Sequence, residues 1–269
     1  MKNIDIEKVV KESNSKTVAN LPRFIVKLIE KIIGQDELNR ILEDYKDCQG
    51  VSFHKKIIEE FNLNIEIEGI ENLPDNGKCF FASNHPFGVI DGLILTKIVC
   101  EKYGTFRAIG NDAFMLVPNL RPYIAIVNVY GRSSKENITE LQKIYDSDIP
   151  ITHFPAGEVS RFYKGRVQDC KWQKSFIAKA ISSQRDIVPF YFYGRNSWLF
   201  YTISLLRQLF FIKANIELIL LPHSMFKKKN KTIKLRIGKP VSYKKFDNSR
   251  THQEWAQFMR RHVYSLGKK

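Results

Sequence analysis

Cysteine is scarce and unpatterned in this chain. Its four residues, Cys48, Cys79, Cys100 and Cys170, form no CxxC pair and no tight Cys/His spacing. That excludes a disulfide framework and a structural zinc site, and it suits reduced thiols in a cytosolic compartment. Long apolar runs are missing as well. The most apolar stretch, Trp198 to Leu221, is broken by Arg207, Lys213 and Glu217, whereas a membrane-spanning helix asks for about 20 apolar residues. No spanning helix is predicted. The first twenty residues are rich in Lys, Glu, Asp, Asn and Ser without an apolar centre, so no signal peptide is expected. No Gly-x-Ser-x-Gly elbow occurs, which argues against a serine esterase. Negative charge is in deficit: 28 Asp and Glu face 43 Lys and Arg, for a net charge of +15. An anionic membrane surface, a phosphorylated cofactor or nucleic acid would balance that excess. Nucleic acid is not expected as a partner, because no RNP, zinc-finger or Gly-rich phosphate motif appears and the basic residues do not cluster with aromatics.

What is present is an alternating chain. At 269 residues it suits one sizeable α/β core with a helical extension. Leu21, Phe24, Ile25, Leu28, Ile29, Ile32 and Ile33 recur at helical spacing, with Pro22 in the first turn and Gly34 ending the pattern. Further helices are predicted over 36–45 and 53–61, making residues 1–62 a helical N-terminal segment. Strands are predicted at 64–70, 78–83, 105–109, 124–129, 149–154, 187–193, 216–221 and 232–237. Helices are predicted between most of them, at 91–102, 134–146, 172–183 and 198–211, with a last one at 251–266. Strands alternating with helices imply parallel crossovers. The expected fold is therefore α/β, a mixed, mainly parallel sheet flanked by helices on both faces, in a domain spanning 63–269.

In such sheets a ligand site forms beyond the carboxyl ends of strands. Two of these ends carry polar clusters: Asn84 to Gly92, and Pro155 to Arg161. A histidine after a strand, with a carboxylate opening the next helix, can form a hydrogen-bonded pair. The carboxylate fixes the tautomer and leaves the other ring nitrogen to take a proton from a hydroxyl. His85 and Asp91 fit that pattern, with Gly88 allowing the loop between them to turn. On spacing alone, an ordinary loop histidine and an N-cap aspartate fit equally well. His153 reads as a core histidine. His54, His223, His252 and His262 show no ligand pattern, so no metal is expected.

Asn84-His85-Pro86 with Asp91-Gly92, followed by Phe154-Pro155-Ala156-Gly157, resembles the glycerolipid acyltransferase family. With Glu158-Val159-Ser160-Arg161 it is similar to the hemolysin-like bacterial branch, which includes O-acyltransferases completing ornithine and glycine lipids. The resemblance covers about residues 64–240. It implies that His85 is the general base and Asp91 its orienting partner, with Asn84, Pro86, Gly88 and Pro155 shaping the supporting loops. It places acceptor binding on Arg132, Gly157, Glu158, Ser160 and Arg161. No cofactor is implied; the co-substrate is a thioester of acyl carrier protein or CoA, and the acceptor is a membrane lipid. Two departures stand out. Five residues separate His85 from Asp91 where the family usually has four, and Ala156, Glu158 and Val159 replace the usual Glu, Thr and Arg. Loss of that arginine moves the expected acceptor from glycerol phosphate toward a lyso-aminolipid, with Arg161 available for a carboxylate or phosphate.

A lipid acceptor requires contact with a bilayer. The 21–33 stripe with Arg23, Lys27 and Lys31, the apolar stretch from Trp198 to Phe211, and Lys227–Lys231 are the expected contact points. The expected location is cytoplasmic, peripheral on the inner face of the cell membrane.

Overall fold

The computed structural model describes residues 3–12, 19–110, 117–126, 135–211 and 215–268. Its helices are α1 (Ile6–Lys11), α2 (Arg23–Ile33), α3 (Gln35–Asp44), α4 (Val51–Glu60), α5 (Ile90–Tyr103), α6 (Lys135–Asp146), α7 (Ser175–Ser182), α8 (Trp198–Leu209), α9 (Leu220–Phe226) and α10 (His252–Leu266). Its strands are β1 (Asn64–Glu68), β2 (Cys79–Ser83), β3 (Arg107–Gly110), β4 (Ile124–Ile126), β5 (Ile151–His153), β6 (Arg161–Tyr163), β7 (Arg166–Gln168), β8 (Asp186–Phe192) and β9 (Thr232–Ile237).

Seven strands form one sheet in the order β1-β9-β8-β2-β5-β3-β4. Every neighbouring pair is parallel except β8 and β9, so β1 and β9 run against the other five. The sheet is mixed and mainly parallel, as the alternation predicts. Both faces are covered, and β2 shows it residue by residue. Cys79 and Phe81 join an apolar cluster with Ile41, Ile57, Ile94 and Ile98 of α3, α4 and α5. Phe80 and Ala82, pointing the other way, join Phe176, Ile177, Trp255 and Met259 of α7 and α10. All five residues of β2 are buried, which is why the strand reads as a continuous apolar run.

Two expectations change. Residues 216–221 are not a strand: a 3₁₀ turn, Ile216–Ile219, runs directly into α9. Pro222 suits a helix's first turn and has no N–H for a sheet ladder. The turn also exposes Ile216 while burying Glu217, the reverse of what their hydrophobicity suggests. The predicted helix from 172 begins only at Ser175. The antiparallel β6–β7 hairpin was not expected. Its two-residue turn, Lys164-Gly165, has both φ angles positive, at 48° and 78°, the geometry that matches strand twist.

Buried histidine makes the fold acid-sensitive. His54 on α4 is 2% exposed and lies 3.2 Å from the Thr96 hydroxyl of α5. Burial lowers its pKa to about 4. Because the folded value lies below the unfolded one, the unfolded chain takes up this proton first as pH falls. Stability is therefore full above about pH 6.5 and lost toward pH 4, by on the order of 3 kcal/mol. Urea midpoints measured from pH 7.5 to 4.5 should fall accordingly, and His54→Gln should flatten the slope. A slope unaltered by that substitution would refute the assignment.

Candidate active site

β2 ends at Ser83, and the loop to α5 begins with a long-range clamp. The Asn84 side chain donates to Phe192 O at 3.0 Å and accepts from Phe192 N at 2.7 Å, tying the loop to the end of β8. Asn196 then donates to Pro86 O at 3.0 Å. These bonds satisfy backbone groups where the strands stop and fix the direction in which the loop leaves the sheet.

Within that loop, His85 Nδ1 stands 3.1 Å from Asp91 Oδ2. The same oxygen accepts the main-chain N–H groups of Phe87 at 2.9 Å and Gly88 at 3.3 Å, and Oδ1 accepts that of Gly92 at 3.0 Å. Asp91 is wholly buried and sits in the first turn of α5, so helix start and loop converge on one carboxylate. A carboxylate surrounded by N–H donors accepts, so Nδ1 carries the proton and Nε2 keeps its lone pair. The longer spacing is absorbed at Gly88, whose φ is +89°. A Cβ there would lie 3.0 Å from Leu221 and from Val159, so glycine is required by conformation and by space.

The second cluster packs directly on the first. The Phe154 ring stacks on the His85 imidazole with centroids 3.9 Å apart at 22°. Ser160 N donates to His85 O at 2.8 Å. Pro155 O accepts from Gln173 N, and Gly157, with φ +70°, closes a turn by donating to Phe154 O at 2.9 Å. The amides of Gly157, Ser160 and Gly92 are all bonded within the protein.

The remaining expected acceptor residues have different settings. Arg132, and with it the segment 127–132, lies outside the described residues. Ser160 is buried and donates its hydroxyl to Asp169 Oδ1 at 2.5 Å. Arg161 is 1% exposed and is not a surface cation. Its Nε donates to Glu217 Oε1 at 2.8 Å, and its Nη1 donates to Glu158 Oε2 at 2.9 Å and to Val159 O at 2.8 Å. Arg207 of α8 approaches Glu217 Oε2 at 3.0 Å, so one buried carboxylate joins two arginines. Glu158 also accepts from the Tyr163 hydroxyl at 3.3 Å. Asp169, which the sequence alone reads equally as an N-cap or as lining of an acceptor pocket, is instead the carboxylate that joins Ser160 to the His85 main chain. Glu217, 56 residues from Arg161, carries no sequence signal of their pairing.

A strand-end histidine paired with a buried carboxylate has the geometry in which an imidazole can take a proton from a hydroxyl. The profile of the family described as Acyltransferase matches residues 8–269 of this chain. The chain belongs to that family. Two relatives cover nearly the whole of this acyltransferase. One, named lyso-glycine lipid O-acyltransferase, from Phocaeicola vulgatus, is 40% identical over 264 residues, 98% of this chain and 95% of its own. Another of the same name from Bacteroides thetaiotaomicron is 36% identical over 264 residues, 98% and 97% of the two chains. The crystal structure of the 1-acyl-sn-glycerophosphate acyltransferase PlsC from Thermotoga maritima aligns with a TM-score of 0.49 at 16% identity, over 98% of this chain and 88% of that one.

Proposed function

We propose that this acyltransferase moves a fatty acyl group from an acyl thioester to the hydroxyl of a lysolipid, with a lyso-aminolipid as acceptor. The observation that carries the reading is the His85–Asp91 pair, its Nδ1 anchored on the carboxylate and its Nε2 without a hydrogen-bond partner among the described residues. The names of the two relatives, at 36–40% identity along the chain, support the acceptor class. In the reaction, Nε2 takes the hydroxyl proton as the oxygen attacks the thioester carbonyl. The tetrahedral intermediate collapses with cleavage of the C–S bond, and the imidazolium returns the proton to the leaving thiolate. Asp91 holds the ring and balances its transient charge. Acyl carrier protein and CoA thioesters both suit this chemistry.

The acceptor's chains place the work at a bilayer. Among the described residues no helix is long and apolar enough to cross one. Two helices instead present apolar side chains outward. α8 buries Phe200 and Tyr201 yet exposes Trp198, Leu199, Leu205, Leu206 and Leu209, and Phe210 and Phe211 continue the surface at 68% and 89% exposure. α2 buries Val26 and Ile33 while Phe24 stands 71% exposed. Both helices pack against the 3₁₀ turn at 216–219, so they flank one region. Exposed apolar patches of this kind mark interaction surfaces. With the basic excess, they support peripheral docking on an anionic leaflet.

The purified protein should release thiol from acyl carrier protein or CoA thioesters when given lyso-glycine or lyso-ornithine lipid, with the diacyl product seen by mass spectrometry. Turnover of lysophosphatidic acid alone would replace the acceptor class, and inertness toward every lysolipid would end the reading. Flotation with vesicles containing anionic lipid should weaken at least fivefold when Phe210 and Phe211 become serine. Unchanged flotation would remove α8 from the docking surface.

A further inference from the structure

Asp169 belongs to neither polar cluster, yet its carboxylate, in a residue 1% exposed, touches both. Oδ1 accepts the main-chain N–H of His85 at 3.2 Å and the Ser160 hydroxyl at 2.5 Å. Oδ2 accepts the indole N–H of Trp172 at 2.9 Å. Ser160 completes a ring by donating its own main-chain N–H to His85 O. Asp169 is itself anchored from α10: its N–H donates to the Tyr264 hydroxyl at 2.7 Å, and its carbonyl accepts from Arg260 at 2.6 Å. Burial pushes its carboxyl above the usual carboxylate range, against the opposing pull of the Ser160, Trp172 and His85 donors. Burying a carboxylate costs several kcal/mol, and filling a core of this size does not need one. The atoms it reaches give the reason for its presence: the main chain of the histidine whose side chain faces the substrate, and the serine that joins the second cluster to it.

We propose that Asp169 is a positioning residue for acyl transfer, pinning the backbone at His85 and, through Ser160, holding the Phe154–Arg161 segment in register against it. The inference rests on the reading of His85 as the base. The imidazole is fixed at Nδ1 by Asp91 and at its face by Phe154. Asp169 fixes the point from which the side chain departs. Misplacement of a catalytic group by about 1 Å can cost roughly 10²-fold in rate.

Three variants test this beside wild type, with His85→Ala as the inactive reference. Asp169→Asn keeps the shape but sets an amide NH2 against the Trp172 N–H. Asp169→Asn/Trp172→Phe removes that conflict, and Ser160→Ala breaks the ring from the other side. With Asp169→Asn, kcat should fall about 30- to 100-fold while KM for the lysolipid changes less than about threefold. The double variant should recover at least tenfold in kcat with KM unchanged, since the hydrogen bond to the His85 main chain returns. Ser160→Ala should lose about three- to tenfold in kcat. Wild-type kcat in Asp169→Asn, at whatever melting temperature, would overturn the proposal. If that variant fails to fold, wild-type kcat in Ser160→Ala would do the same. Full activity in His85→Ala would instead overturn the reading of the base.

Discussion

Replacing His85 with alanine is expected to lower lysolipid-dependent thiol release about 10³-fold, within the range that a positioned general base contributes. Thermal stability should hardly change. The imidazole fills a partly open position against Phe154, its side chain 13% exposed. Once it is gone, Asp91 still accepts from Phe87, Gly88 and Gly92, so no buried donor is stranded. Asp91→Asn is a different experiment. An amide NH2 turned toward the Phe87 and Gly88 N–H groups would meet donors with a donor. Activity and melting temperature should therefore both fall. Equal thiol release by wild type and His85→Ala in a single-turnover assay would exclude His85 as the base.

The second large effect concerns stability. Glu217→Ala is expected to cost about 3–5 kcal/mol, as for other buried pairs broken from one side. Its carboxylate, wholly buried, meets Arg161 Nε at 2.8 Å and Arg207 Nε at 3.0 Å. Without it Arg161 would remain buried with Glu158 as its carboxylate, and Arg207 would lose a counter-charge. For a chain of this size the melting temperature should drop by on the order of 10 °C. Pairing Glu217→Ala with Arg161→Met should restore part of the loss, because the stranded charge leaves with its partner. A single variant melting within about 2 °C of wild type would show that the network adds little. The network joins β6, α8 and the 216–219 turn, and so links the wall behind Ser160 to the apolar helix proposed to meet the bilayer.

The sequence made the strand-helix alternation legible because hydrophobic periodicity is local. The His85–Asp91 pair was legible because both residues lie on one loop and its helix start. Phe154 to Arg161 was recognisable as a cluster, though its stacking on His85 was not, since nothing local specifies which strand end lies beside which. Arg161 shows the limit most clearly. Its residue type suggests a free cation for an anionic acceptor, but its environment is set by Glu217, 56 residues away. Asp169 lies 84 residues from His85, and its role follows from packing that no periodicity encodes. Residues 216–221 misled because a short apolar run looks alike as strand or helix. Pro222 was the available signal, since it has no N–H for a sheet ladder. The Lys164-Gly165 turn carried a signal too, a glycine between two short β-prone segments.

The pairing of β1 with β9 constrains how this chain is made. Asn64 and Thr232 face each other across 168 residues, and among the described residues β9 is the one strand beside β1. A ribosome therefore finishes β1 long before its neighbour exists. In the interval the nascent strand carries open hydrogen-bonding groups, with its carboxylates Glu66 and Glu68 not yet matched by Lys234 and Arg236. Closure of the sheet must await the last sixth of the chain, and such non-local pairing folds slowly. Chains released early, before β9, would leave β1 and one side of β8 as naked edges, the form most open to aggregation.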